Sequence, residues 1–281
     1  MLDIIDWEKA WSDARSVSPL KAYDSTSDWN VYWDYIASNQ KHVPMIGELL
    51  DNDIIDHILR ENILRHGDLV LDIGCGGGTY AIPFASVASS VTGLDLSEPM
   101  LLKMQEVAIA NRVFNVRSVR SRWESYDESI KYDLVFSAFC HGIRDTSTLL
   151  KMERYSRRSC CYVAGSADQF RLLSEVWKAV FNKDYSSDAF NIIYPLNFLC
   201  HSGRNPSIRA FTYESEYTIG PEALVEEFVK YFGSFMKTGS GVESRIRDCI
   251  MQLSEGGDYR VSGKRTVYAL NWNVPGCFMT K

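Results

Sequence analysis

The sequence predicts an α/β fold, a Rossmann-like, mostly parallel sheet of seven strands with helices on both faces. Two observations carry this prediction. From residue 66 onward, short apolar segments alternate with segments of helical periodicity, and a glycine-rich turn joins the first apolar segment to a helix. Strands that alternate with helices build parallel sheets, whose ligands bind beyond the carboxyl ends of the strands. Further helices are expected before the first strand and after the fifth.

Composition and charge narrow the classes of protein. The 281 residues are 46% hydrophobic and 23% charged, which is typical of a globular domain. The net charge of -6 makes nucleic acid an unlikely partner, because proteins that bind duplexes present a basic face. No apolar run of about 18 residues predicts a membrane span. The seven cysteines and an acidic amino terminus without a signal peptide favour a cytoplasmic location with free thiols.

The first 65 residues are predicted to form a helical segment that precedes a domain of residues 66–281. Apolar residues recur at the spacing of one helix face at Trp29, Tyr32, Trp33 and Ile36, after Ser27 or Asp28 as a cap. A second helix is expected between Leu50 and Leu59. Core packing explains most of this aromatic stripe. The alternative is a lid over the carboxyl end of the first strand, which makes Trp33 a candidate to contact a substrate.

Strands and helices then follow in order. We predict strands at Leu69–Ile73, Ser90–Leu94, 113–119, 133–138, 160–164, 209–219 and 266–272. Ser97 is a suitable N-cap for the helix after the second strand, with Pro99 in its first turn. A helical insertion is expected at about residues 168–205. Two more helices, at 221–232 and 242–253, come before the final strand.

The segment between the first strand and its helix carries the functional argument. Asp72 ends the strand, and Gly74, Gly76 and Gly78 follow at alternate positions. Glycines let the backbone approach a ligand closely, and the helix amino terminus offers free N–H groups. A dinucleotide site needs its third glycine five residues after the first, where this chain has Thr79. The spacing therefore disfavours a NAD-dependent oxidoreductase.

Residues 72–78, DIGCGGG, and residues 93–97, GLDLS, resemble the first two motifs of the class I S-adenosylmethionine (SAM)-dependent methyltransferases. The resemblance covers about residues 66–143 and implies SAM as cofactor, with S-adenosylhomocysteine (SAH) as product. It implies that Asp95 binds the ribose hydroxyls, while Asp72 and the glycine loop face the methionine part. The full set of implied cofactor contacts is Asp72, Gly74, Cys75, Gly76, Gly78, Asp95, Leu96, Met100, Ser121, Trp123, Ala138 and Phe139.

The resemblance is incomplete on the adenine side. Leu96, Met100 and Trp123 are the implied neighbours of the adenine, and Ala138 and Phe139 those of the sulfonium. Many members of the family carry an Asp in the loop after the third strand. Here that loop reads RSRWE at residues 120–124, so Ser121 or a backbone group takes its place.

The acceptor side is less defined. The sequence SAFCHGI after the fourth strand lacks the Asn/Asp-Pro-Pro-aromatic motif of the adenine and glutamine N-methyltransferases. His141 is the candidate general base, and a structural histidine is an equal alternative. Residues 191–211 resemble a small-molecule-type subgroup with a helical substrate lid. The remaining substrate candidates are Cys140, Tyr194, His201 and Arg204.

Two Cys-His pairs, Cys140-His141 and Cys200-His201, raise the possibility of a metal site. Unrelated buried thiols and surface histidines explain them better, and we predict no metal. The sequence thus predicts methyl transfer from SAM to a small molecule. An RNA or protein methyltransferase and a non-catalytic SAM-binding regulatory protein are the alternatives, and the sequence carries no signal for an oligomeric state.

Overall fold

The computed structural model describes residues 5–18, 29–38, 48–165, 171–185, 190–234, 239–255 and 257–276. Seven strands form one sheet in the order β3-β2-β1-β4-β5-β7-β6. They are β1 (Leu69–Ile73), β2 (Ser90–Asp95), β3 (Val116–Arg120), β4 (Tyr132–Ala138), β5 (Ser156–Gly165), β6 (Ser207–Ile219) and β7 (Tyr259–Asn273). Strand β7 runs antiparallel to both neighbours, and the pairs among β1 to β5 are parallel. The predicted fold class is confirmed.

β1, β2 and β4 match their predicted bounds within one residue, whereas β5 begins four residues before its predicted start and the last strand is also longer. β1 and β4 are buried on both faces, so they read as almost continuous apolar runs. β7 begins at Tyr259 rather than at residue 266. It pairs with β5 only from Val267 to Asn273, but with β6 from Tyr259 to Asn271. The antiparallel pair of β6 and β7 therefore extends past the carboxyl end of β5.

Ten helices lie in the described part of the chain. They are α1 (Trp7–Val17), α2 (Trp29–Ser38), α3 (Glu48–Arg60), α4 (Ala81–Ala85), α5 (Glu98–Ala110), α6 (Thr146–Tyr155), α7 (Arg171–Phe181), α8 (Ile193–His201), α9 (Pro221–Gly233) and α10 (Ser240–Leu253). Helices α3, α4 and α5 pack in the core on one face of the sheet. Helices α1, α6 and α8 pack in the core on the other face. The sheet is thereby covered on both sides.

A third apolar cluster joins α2, α7, α9 and α10, which we call the cap. Phe228 and Phe232 of α9 pack there with Trp177 of α7 and Ile246 of α10. Met100, in the first turn of α5, belongs to the same cluster and ties the cap to the carboxyl edge of the sheet. The helices of the predicted insertion at 168–205 therefore pack in two different places: α7 joins the cap, and α8 covers a face of the sheet.

The three N-terminal helices also separate. α1 and α3 cover opposite faces of the sheet, and α2 alone enters the cap. The predicted caps of α2, Ser27 and Asp28, lie outside the described residues. Within the described ranges, every helix is too short or too polar to cross a membrane.

Candidate cofactor and acceptor site

The glycine loop is fixed to the end of β2 by its own backbone. The N–H groups of Gly74 and Cys75 both donate to the carbonyl oxygen of Leu94, at 2.7 and 3.1 Å. Gly74 has a φ of +72°, and a Cβ there would lie 2.7 Å from Sγ of Cys140. Both the left-handed backbone and the close approach exclude larger residues. Cys140, a predicted substrate neighbour, thus lies directly against the glycine loop.

The carboxylate of Asp95 connects the glycine loop to the start of α5. Its Oδ2 accepts the N–H of Gly76 at 3.0 Å, and its Oδ1 accepts the N–H of Ser97 at 2.9 Å. Burial raises the pKa of Asp95, while these N–H donors act in the opposite direction. Each carboxylate oxygen can accept a further hydrogen bond. The remaining acceptor positions suit a ligand that presents hydroxyl groups.

Asp72 is a buried carboxyl whose hydrogen bonding is incomplete. Its residue is 1% exposed, and Oδ2 has no hydrogen-bond partner among the described residues. Burial, together with the nearby charge of Asp95, raises the pKa of Asp72 to about 8. A buried polar atom without a partner is costly unless a ligand satisfies it. A cationic group at the glycine loop would do so, and the amino group of SAM is such a group.

Asp72 should make the stability of the ligand-free protein depend on pH. The pKa of its folded form, about 8, lies above the unfolded value of about 3.9. Its stabilising effect is therefore complete below the unfolded value and is lost as pH rises through the folded one. In urea unfolding, the free energy of unfolding should fall between about pH 5 and about pH 8. For Asp72→Asn this fall should be smaller than for the unmodified protein by at least about 1 kcal/mol. Equal losses would contradict this, and the exposed Asp56→Asn is the control.

The chain after β4 places two neighbouring side chains on opposite sides. Phe139 has a φ of +52°, an uncommon conformation for a bulky residue. After this turn Cys140 packs on Gly74, whereas the ring of His141 meets Phe190 at 5.0 Å and Trp33 at 5.9 Å. Burial lowers the pKa of His141 to about 4. The imidazole is therefore neutral near pH 7 and can accept a proton.

Helix α2 lies beside both halves of this site. Asp34 Oδ1 accepts the hydroxyl of Ser97 at 2.6 Å, next to the Asp95 carboxylate. On the same helix, Trp33 contacts His141, and Tyr32 packs in the cap cluster together with Met100. These contacts support the lid hypothesis for α2, which stays a prediction. Asp34 and Phe190 were not anticipated, because neither belongs to a motif and only the packing of α2 and the α8 loop brings them here.

The adenine side is more enclosed than the sequence implied. Leu96 is partly buried beside Asp95, and the N–H of Ser121 donates to the carbonyl oxygen of Asp95 at 3.0 Å. Trp123 is only 3% exposed, and its Nε1 donates to the carbonyl oxygen of Thr148 at 2.9 Å. Trp123 therefore supports the loop after β3 from within the core. Ala138 is partly buried at the end of β4.

Two predicted substrate residues lie away from this site. Arg204 donates to both carboxylate oxygens of Glu153, at 3.1 and 2.9 Å, and Trp272 donates to the same carboxylate. Trp272 pairs with Cys160 in the first half of β5, so this ion pair is toward the edge opposite the glycine loop. Arg204 is thus engaged in structure rather than aimed at an acceptor. His201 is exposed at the end of α8, close to Arg204 in the chain.

The other substrate and metal candidates can also be placed. Tyr194 lies in the first turn of α8, four residues after Phe190, and packs partly buried against the sheet. The two Cys-His pairs lie in different parts of the fold, since Cys140-His141 follows β4 and Cys200-His201 lies at the end of α8. Across the described ranges, no three His, Cys, Asp or Glu side chains are grouped as metal ligands.

Comparisons with known proteins find methyltransferases among the proteins similar to this chain. Residues 70–158 match the model of a methyltransferase domain. Over 159 residues the chain is 24% identical to an uncharacterized protein of Haemophilus influenzae. This alignment covers 56% of this chain and 59% of that protein. Over 122 residues the chain is 26% identical to the ribosomal RNA small subunit methyltransferase G of Shewanella oneidensis, covering 43% and 56%. The chain thus spans less than two thirds of these relatives.

A solved structure shows the same fold over more of the chain. It is a SAM-dependent methyltransferase from Thiobacillus denitrificans in complex with SAH. The match has a TM-score of 0.53 at 14% identity, and covers 85% of this chain and 97% of that one. At this identity the likeness establishes the fold and leaves the acceptor open.

Proposed function

We propose that this chain, whose residues 70–158 form a methyltransferase domain of the class I, SAM-dependent type, transfers a methyl group from SAM to a small molecule. One observation carries the cofactor half of this proposal. The buried carboxyl of Asp72, with an unpartnered Oδ2, lies at the start of a glycine loop that Asp95 holds in place. Oxygens that accept hydroxyl groups and a buried carboxyl at one loop match a ligand with ribose hydroxyls and an ammonium group, since the nearby cation would favour the ionised form of that carboxyl.

The residues around the loop have separate tasks in holding the cofactor. Asp95 accepts the ribose hydroxyls, and Asp72 receives the amino group. The space around Gly76 is open, since an added Cβ would have only Met100 Sδ nearby, at 4.0 Å. The backbone there can approach a ligand closely. When bound, SAM supplies a methyl group already activated by its sulfonium, so positioning the acceptor provides much of the rate.

His141 and its aromatic neighbours form the proposed acceptor side. The neutral imidazole can take the proton of an acceptor hydroxyl, because that proton becomes strongly acidic as the oxygen is methylated and a base with a pKa of about 4 then suffices. Burial raises the pKa of the Cys140 thiol to about 12, so this thiol stays protonated and serves in packing. Trp33 and Phe190 flank the imidazole with apolar rings. An apolar wall with one polar group at its centre is typical of small-molecule sites.

The charge of the site favours a small acceptor over RNA. The carboxylates of Asp34 and Asp95 lie at the cofactor end, in a chain with a net charge of -6. A polyanion would be repelled there unless a basic track compensated for it. Helix α2 also narrows the approach, because Trp33 contacts His141 while Asp34 holds Ser97.

Thermal unfolding in the presence of SAM, SAH, NAD and NADH tests the cofactor. A ligand that binds only the folded state adds about 2.7 kcal/mol at a hundredfold excess over its Kd. We expect a raised Tm with SAM and SAH and no change with the nicotinamides. A shift with NAD or NADH alone would overturn the proposal.

The acceptor class needs a second experiment. The protein is incubated with methyl-labelled SAM and a cell extract separated into dialysable molecules, RNA and protein. Label in the dialysable fraction alone is the expected result. Label in RNA or protein would replace the small-molecule proposal, and SAM binding without transfer to any fraction would favour a non-catalytic SAM-binding protein.

A further inference from the structure

A cleft lies at the edge of the sheet opposite the glycine loop. It has a volume of about 710 Å³ and lies between the end of α3 and the first residues of β6. Its floor includes Ser159, near the start of β5, and Asn273, which pairs with Ser159 at the end of β7. Volumes of about 300–1,000 Å³ are usual for small-molecule sites. The size and place of the cleft suggest a site that the proposed methyl transfer does not use.

The sheet face under α3 changes from apolar to polar at this cleft. Toward the carboxyl end of β5, this face presents Val163, Val267 and Ala269, which belong to the core. Toward the start of β5, the same face presents Asn271 and Asn273 of β7 and Ser207 of β6, all of which line the cleft. A helix packed on a sheet normally keeps an apolar floor beneath it. Amides and a hydroxyl here provide donors and acceptors for a polar ligand.

Guanidinium groups outnumber carboxylates in the cleft. Arg158 also lines it, but is neutralised by Asp68, to which it donates two hydrogen bonds. The other charged side chains that line the cleft are three arginines, Arg60, Arg65 and Arg209, and two carboxylates, Asp53 and Glu61. The local balance is positive in a chain whose net charge is negative.

Two side chains that line the cleft have nitrogen atoms without a hydrogen-bond partner among the described residues. Arg209 is exposed and makes no hydrogen bond or ion pair with any other described residue. The ring of His57 lies 5.6 Å from that of Phe211, and its buried Nε2 has no hydrogen-bond partner in the described part of the chain. A guanidinium with open donors is well suited to bind a planar or tetrahedral oxyanion.

We propose that this cleft binds a small polar molecule carrying a carboxylate or phosphate group, with Arg209 as its main anion contact. Asn271 and Asn273 contribute neutral hydrogen bonds, and Asp53 and Glu61 accept from hydroxyl or amino groups of the same ligand. A polymer such as RNA fits less well, because the cationic groups line a concave cleft and two carboxylates share it. The proposal is independent of the methyl acceptor.

Calorimetric titration with citrate and with inorganic phosphate, at constant ionic strength, tests the site and separates carboxylate from phosphate. The protein is saturated with SAH, or used alone if SAH does not bind. Arg209→Gln should weaken binding by about tenfold, the loss of a charge-assisted hydrogen bond. The matched control is Arg245→Gln, which removes an exposed arginine of α10 and should leave binding unchanged.

Labelling of arginines with phenylglyoxal, followed by peptide mass spectrometry, locates the ligand. We expect citrate or phosphate to protect Arg209 and to leave Arg245 reactive. Asn271→Asp, which adds an anion and keeps Arg209, should also weaken binding. The proposal is overturned if neither anion binds, if both arginines are protected equally, or if Arg209→Gln binds like the unmodified protein.

Discussion

Replacing Gly74 with alanine is expected to abolish measurable SAM binding and to lower the free energy of unfolding by about 2–4 kcal/mol. The φ of +72° costs any L-residue energy at this position. In addition, the new Cβ would lie 2.7 Å from Sγ and 2.8 Å from Cβ of Cys140. The loop must move, and with it the N–H groups that hold the Leu94 carbonyl oxygen.

Gly67→Ala separates backbone strain from the steric clash. Gly67 has a φ of +83°, but nothing lies within 4 Å of an added Cβ. This variant should lose only about 1–2 kcal/mol and bind SAM normally. Cys140→Gly in the Gly74→Ala background should restore part of the binding, because it removes both clashing atoms. Urea unfolding and titration calorimetry measure the two effects, and normal SAM binding by Gly74→Ala would refute the close-approach argument.

Asp95→Ala is expected to weaken SAM binding by about 1–3 kcal/mol, the cost of unpaired polar groups at a site. The variant loses the acceptor for the ribose hydroxyls. It also frees the N–H groups of Gly76 and Ser97, which the carboxylate now holds at 3.0 and 2.9 Å. The glycine loop and the start of α5 should therefore lose their fixed relation as well as one ligand contact.

Asp95→Asn and Glu106→Ala complete this experiment. The amide keeps one acceptor oxygen, so Asp95→Asn should fall between the unmodified protein and Asp95→Ala. Glu106 is exposed on α5, the helix that follows Asp95, and its removal controls for the loss of one negative charge. Calorimetric titration with SAH gives the three affinities. Equal affinity of Asp95→Ala and the unmodified protein would remove Asp95 from the site.

The fold was predictable where the signal is local. β1 reads as a short apolar run, and the structure gives it the predicted bounds of Leu69–Ile73. The first part of β7 was missed because residues 259–265 lie beyond β5 and are mostly exposed, so they lack an apolar pattern. The composition of the cap was missed for a related reason. Each cap helix shows its own apolar stripe, but the pairing of α2 with α9 and of α7 with α10 depends on tertiary packing.

The candidate site also has one part that local motifs predict and one part that only tertiary packing brings together. Asp72, the glycines and Asp95 occur in two short motifs, and the structure brings them together at one loop. Asp34 reaches Ser97 from 63 residues away, and nothing in its local sequence indicates this contact. Arg204 has the residue type of an anion clamp, but Glu153 engages it instead. Residue type alone cannot reveal such a partner, because the partner lies 51 positions distant in the chain.

The order of the strands has a consequence for synthesis on the ribosome. β7, the last strand of the sheet to be translated, occupies the place between β5 and β6. Until residues 267–273 have emerged, the pairing groups of β5 on that side have no strand to meet. An unpaired strand edge is a template for wrong association. The nascent protein therefore passes through a stage in which its parallel strands are complete and one edge is open, and closure waits for almost the final segment of the sheet.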